Sequence, residues 1–350
     1  MSTIVSSRLN PSRDLATPVT LRYTLLVCGL LLLSLLAAVV VTSLLGSESL
    51  PARPALCALF SLGNYACGLT PEQSTILLEI RFPRILLAGA VGASLAAAGA
   101  SYQALLRNPL AEPYLLGISN GAAVGTMIAL VFFGAFEWGR PLFAFVGALL
   151  TTLVVYRLGQ GRAGATPERL ILAGVIVTTF LSSAIVFVTT LMDATRIRAF
   201  TFWLLGDLSG ATTNLLLVAI LIAVGATLVL AASARSLNLM MLGERDAFDL
   251  GVEVGRVRLI VFVSASLLVG SSVASGGSVG YVGLVVPHLV RLSIGSDNRI
   301  TIPAAALGGA VFVVIADTIA RTIIAPRELP VGAITALIGA PLFIYLLKRG

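Results

Sequence analysis

Residues 84–106 read RILLAGAVGASLAAAGASYQALL, a run with no charge between Arg84 and Arg107. Crossing roughly 30 Å of hydrocarbon takes about 20 apolar residues in a helix, so this run is long enough to span a bilayer. Within it small residues recur every fourth position, at Ala88, Gly92, Ala96 and Ala100. That spacing lays them in one stripe along a helix, where they let a second backbone approach closely. A membrane β-barrel would need short segments alternating apolar and polar residues, and this run does not alternate. The reading is a buried helix in a membrane bundle.

The whole chain repeats the pattern. Of 350 residues 57% are hydrophobic and 11% charged, and mean hydropathy is +1.01. A chain of this length has room for about ten spans. Apolar runs fall near 21–45, 84–106, 115–134, 140–158, 168–191, 214–234, 257–275, 278–295, 302–323 and 332–347. A second small-residue stripe, Gly332, Ala336 and Ala340, lies in the last. The expected fold is all-α, a polytopic membrane helical bundle forming a single transmembrane domain over residues 1–350.

Arg8, Arg13 and Arg22 precede the first run, which is too long for a secretory signal and is read as a retained span. The formal charge of +7 reflects orientation, since the arginines are scattered over short loops and form no patch with aromatics that would fit a nucleic acid. With both termini in the cytoplasm, fifteen of the 23 Lys and Arg residues fall inside and eight outside. The positive-inside rule favours that arrangement.

One stretch breaks the apolar habit. Residues 239–259, LMMLGERDAFDLGVEVGRVRL, hold seven charged side chains. Leu242-Gly243 and Leu250-Gly251 read as two helix ends, because glycine closes helices in the left-handed conformation. Between them Glu244, Arg245, Asp246, Ala247 and Asp249 make a polar helix too short to stand alone. Apolar Leu237, Leu239, Met240, Met241 and Leu242 adjoin it, as in a surface that docks another protein, although a solvated loop reads equally well from charge alone.

The chain cannot power itself by the P-loop route. That motif needs a lysine reaching the phosphates, and the only lysine here is Lys348. Ion coupling would call on Asp317, the one carboxylate well inside a span, but Arg321 lies four residues on and is placed to neutralise it. Residues 276–280 spell G-x-S-x-G around Ser278, ten residues before the single histidine, His288. A nucleophile elbow requires a strand-to-helix turn, whereas this pentapeptide lies between two apolar helices. His288 lacks a second ligand for haem iron, and one histidine with three scattered cysteines builds no metal site. Cys57 and Cys67 share an outer loop, where a disulfide is permitted and the spacing leaves it open.

The segments RFPRILLAGAVGASLAAAGASYQALLRNPLAEPYLLGISNGAA (81–123), GYVGLVVPHLVRLSIGSDNR (280–299), ADTIART and ELPVGAITALIGAPLFIYLL resemble the FecCD-type permeases of bacterial ABC importers. The resemblance runs from about residue 70 to the end. It implies a type II importer permease of ten helices in the bacterial inner membrane. Such a permease pairs with a second copy around a central pathway, above two ATPase subunits that bind ATP and magnesium and below a periplasmic or lipid-anchored binding protein. This chain itself would then carry no cofactor and catalyse nothing. The cargo first implied is an iron-siderophore complex, with haem or cobalamin as alternatives and an ion-driven carrier as the rival mechanism.

The resemblance also assigns residues. Residues 237–256 would be the segment that couples to the ATPase, through Leu242, Gly243, Glu244, Ala247, Leu250 and Gly251. Arg81, Arg84 and Arg321 would meet glutamates of the binding protein at the outer mouth, a task suited to the bidentate guanidinium fork. Asn108, Pro109 and Pro113, in RNPLAEP, break helix geometry and make a structural turn.

Overall fold

The computed structural model describes residues 20–349 apart from 47, 62–66, 134–137 and 162–163. Arg8, Arg13 and Arg162 of the charge count lie outside the described residues. The elements are helices α1 (Leu21–Leu44), α2 (Ala52–Phe60), α3 (Pro71–Thr75), α4 (Phe82–Leu105), α5 (Ile118–Phe132), α6 (Gly139–Gly159), α7 (Pro167–Thr189), α8 (Ala194–Leu204), α9 (Thr213–Ala232), α10 (Ala234–Leu242), α11 (Glu244–Asp249), α12 (Val254–Gly276), α13 (Val282–Ile294), α14 (Asn298–Thr322) and α15 (Val331–Arg349). A two-residue hairpin, Gln160–Gly161 with Gly164–Ala165, follows α6.

Seven helices are long and apolar enough to cross a membrane, and three shorter apolar ones begin at Ile118, Val282 and Val331. Seven of the ten expected spans hold a helix of spanning length, and the runs near 115–134, 278–295 and 332–347 hold the three shorter ones. The short helices α2, α3, α8, α10 and α11 connect them and were not separable by hydropathy, except where glycines marked α10 and α11.

The column of the bundle is α4. Thr70 and Gln73 form a capping box, Pro71 fixes the first turn, and a π-helical stretch at Ile76–Arg81 joins α3 to α4 without a break. The result is a rod over Pro71–Leu105 of 35 residues, about 50 Å at the usual helical rise. It is packed on α14, α12, α13 and α9. The small-residue stripe explains how. A Cβ on Gly92 would overlap the Gly309 carbonyl of α14, and a Cβ on Gly309 would overlap that of Gly92. Only two hydrogens at that crossing allow the backbones to touch, which replaces the hydrophobic drive that lipid removes. By contrast α1, α7 and α9 bury few residues and expose Leu30, Leu33, Phe180, Phe187, Leu221 and Leu228. In hydrocarbon such faces need no cover.

Candidate functional site

Three groups of residues carry chemistry: one at the α11 end of the bundle, one at the Arg84 end, and one where the chain breaks between them.

At the α11 end, Gly243 (φ +146°) ends α10 and Gly251 (φ +86°) follows α11, so both expected glycine turns are present. Between them α11 is held from three directions. Glu244 pairs with Arg258 of α12 at 2.5 Å and with Arg107, past the end of α4, at 3.8 Å. Arg258 is buried, so Glu244 neutralises a charge that water scarcely reaches. Ala247 is fully buried and its carbonyl accepts from Val252 N at 2.9 Å. Beneath it, Asn238 of α10 donates to Asp297 Oδ1 at 2.7 Å and accepts from Asn298 N at 2.9 Å, tying α10 to the start of α14. Partial burial works to raise the Asp297 carboxyl, but the bonds from Arg299 and Asn238 outweigh it and hold the group below its ordinary range.

What α11 leaves outside is apolar. Leu242 is 68% exposed, Phe248 70% and Leu250 61%. Three large apolar side chains sit beside the exposed charges of Arg245, Asp246 and Asp249. Phe248 escaped the sequence reading, though a large aromatic inside a charged run was its signal. Ala247, expected with the contact residues, faces inward and serves the seat of the helix.

At the other end the expected arginines come together but not at the surface. Arg81, Arg84 and Arg321 are 4%, 7% and 6% exposed, whereas arginines expected to meet a partner at the outer mouth would stand on open surface. Burial follows from pairing. Arg84 reaches Asp317 Oδ1 with Nε at 3.1 Å and Nη2 at 3.0 Å, and donates from Nη1 to Glu328 Oε2 at 2.7 Å. Arg321 donates from Nε to Asp317 Oδ2 at 3.0 Å and from Nη2 to Thr318 Oγ1 at 3.3 Å. Asp317, fully buried, thus serves two guanidinium groups. Arg81 donates to the carbonyls of Ser43, at 3.4 Å, and Glu48, at 2.5 Å. Nothing in local spacing revealed Glu328 as a partner, since it lies 244 residues from Arg84. A cavity of about 290 Å³ opens beside the pair, lined by Arg84, Phe202, Asp207, Ser209, Glu328 and Pro330. Nearby, Cys57 and Cys67 are joined in a disulfide.

Between the two ends, the loop after α4 meets the loop after α12. Asn108 Oδ1 accepts from Leu110 N at 2.9 Å and Arg107 takes a positive φ of 49°, which makes the expected turn. Pro113 then starts a 3-10 turn to Leu116. Tyr114 Oη accepts from Val279 N at 3.0 Å and donates to Val279 O at 3.2 Å, while Glu112 Oε1 accepts from Tyr281 N at 3.1 Å. Ser278 therefore lies in a helix-to-helix link, braced from across the bundle, and not on a strand-to-helix elbow. His288 rests edge-on against Phe343, ring centroids 6.0 Å apart.

Known proteins supply the frame for this geometry. The sequence model of the FecCD transport family matches residues 30–349. The hemin transport system permease protein of Yersinia pestis is 41% identical over 279 residues, covering 78% of this chain and 83% of that protein. The vitamin B12 import system permease protein of Vibrio cholerae serotype O1 is 40% identical over 290 residues, 82% of this chain and 87% of that one. Among solved structures, an inward-facing chain assigned to the metal-chelate type of ABC transporter superposes with a TM-score of 0.81 at 30% identity, covering 93% of this chain and 99% of its own. With a family match over nearly its whole length and relatives of this closeness, the chain belongs to the FecCD transport family.

Proposed function

We propose that this chain forms the transmembrane pathway of an ATP-driven importer for a bulky metal chelate, as a homodimer in the plasma membrane. The chain is a permease subunit of an ABC importer and not itself an enzyme. ATP and magnesium belong on two separate ATPase subunits, and a binding protein delivers cargo on the outer side. Both termini lie in the cytoplasm, which the excess of arginine on the α11 side supports.

The observation that carries the reading is the exposed trio Leu242, Phe248 and Leu250, on and at either end of α11, the helix clamped to α12 by Glu244 and Arg258. Residues 237–256 form the coupling segment of a single transmembrane unit. A surface of three apolar side chains rimmed by charge suits a cleft in the ATPase, and the clamp passes its movement to the bundle. Exposed Thr179, Ser182 and Ser183 among the apolar residues of α7 suit a wall facing water in the pathway. Relatives named for hemin and vitamin B12 favour a tetrapyrrole cargo more directly than the iron-siderophore first implied.

Leu242→Arg combined with Phe248→Glu tests the reading. The variant should remain a monodisperse membrane protein, lose copurification with the ATPase and lose ATP-dependent uptake. Normal uptake would overturn it.

A further inference from the structure

Both tryptophans of the chain, Trp138 and Trp203, line one cavity of about 260 Å³ at the end of α12 far from α11. Around it α6 begins at Gly139, α9 begins at Thr213 and α12 ends at Gly276. All three are of spanning length, so the cavity stands where the bundle leaves hydrocarbon for water. Tryptophan concentrates at that depth, beside lipid headgroups.

The cavity also holds charge of both signs, Arg140 and Asp207. Neither joins an ion pair among the described residues. Ser209 N donates to Asp207 Oδ1 at 2.8 Å and fixes the carboxylate, whose Oδ2 is left open. The arginine of the adjoining cavity, Arg84, is already served by Asp317 and Glu328. Trp203 is 7% exposed, and its indole N–H, a donor only, meets no acceptor among the described residues. A buried donor without a partner is costly, and this side chain borders the cavity. Inward from there, α6 and α9 both pack on α12 but form no interface with each other. Within about two turns of their starts they expose Leu142, Val146, Leu217 and Leu221, an apolar surface that continues from the cavity.

We infer that the cavity is a binding site for an ethanolamine phospholipid. The phosphate accepts from Arg140 and from the Trp203 indole, the ammonium donates to Asp207 Oδ2, and an acyl chain runs between α6 and α9 over α12. Unpaired charges of both signs around one small space ask for a ligand that carries both. A carboxylate with an open oxygen suits a primary ammonium, which has hydrogens to donate, over a quaternary one, which has none. The same charges would hold free phosphoethanolamine, and the groove between α6 and α9 is what separates the two sources.

The experiment is native mass spectrometry of the purified full-length permease in detergent, titrated with phosphatidylethanolamine, phosphatidylglycerol or phosphatidylcholine. Wild type should hold the ethanolamine lipid about tenfold more tightly than the other two. Asp207→Asn should abolish that preference by weakening the ethanolamine lipid alone. Arg140→Gln should weaken all three, and so should Trp203→Phe, which keeps a ring and drops the donor. Equal retention of the three lipids by wild type, or a preference that survives both Asp207→Asn and Arg140→Gln, overturns the site, and the wild-type result decides even where a variant does not fold. Preference for the choline or glycerol lipid overturns the ethanolamine assignment. Free phosphoethanolamine at equal concentration should leave the lipid bound; displacement would overturn the lipid in favour of a soluble ligand.

Discussion

Glu244 at the first turn of α11 and Arg258 in the first turns of α12 form a 2.5 Å ion pair in which the arginine is buried and the glutamate reaches the surface. The pair ties α11 directly to α12, one of the helices packed on α4. Arg107 touches the same glutamate from the end of α4, so one carboxylate joins the two most deeply packed helices.

Glu244→Gln should cost about 1–2 kcal/mol, less than a fully buried pair because Glu244 is half-exposed. Its effect on coupling should be larger than its effect on folding. Uptake per ATP hydrolysed, measured in proteoliposomes, should fall while thermal unfolding shifts by only a few degrees.

Asp317→Asn should act as a folding mutation. It leaves Arg84 and Arg321 without their shared acid, a loss of about 3–5 kcal/mol for a buried pair broken on one side. Protein that survives purification should still transport with ATP and ignore an imposed sodium or proton gradient. Gradient dependence that vanishes in this variant would revive the ion-driven carrier.

Gly92→Val should destabilise the bundle by about 1–3 kcal/mol or more, because the new atoms meet the Gly309 backbone and not a movable side chain. Val224→Ala, at an exposed position of α9, should leave the melting temperature of the detergent-solubilised protein unchanged, which separates packing from hydrophobicity.

Tyr114→Phe removes both hydrogen bonds to the Val279 backbone and should cost about 1–3 kcal/mol. The loss strands a peptide group where two chain breaks meet, so amide hydrogen exchange at residues 277–281 should speed up while α4 stays protected.

Acid should loosen the tie between α10 and α14. The Asp297 carboxyl is held low in the folded chain, so its contribution is present above the unfolded value of about 4 and is lost as pH falls through the lower folded value. Asp297→Asn should flatten that part of the stability profile.

Long-range order and local order were unequally legible in the sequence. The long spans showed themselves because about twenty apolar residues in a row have no soluble alternative, and the glycines at 243 and 251 betrayed the ends of α10 and α11 because their backbone conformations exclude other residues. The stripe through Ala88, Gly92, Ala96 and Ala100 announced a close crossing but not the identity of its partner, α14. Partners distant in sequence stayed hidden for the same reason. Arg84 with Glu328 and Asn238 with Asn298 meet only after the helices pack, and a single chain carries no periodicity that links them. The burial of Arg81 and Arg84 was hidden too, since a flanking proline and charge say nothing of the carbonyls that hold Arg81 or the acids that hold Arg84.

Uptake powered by ATP through α11, as proposed, has a direct test. The direct measurement is uptake of ferric siderophore, haem and cobalamin into proteoliposomes holding this chain with its ATPase and binding protein, with and without ATP, for wild type and the Leu242→Arg, Phe248→Glu variant. The prediction is uptake of one metal chelate by wild type only with ATP, and none by the variant. Uptake driven by an ion gradient without ATP, undiminished in the variant, would contradict it.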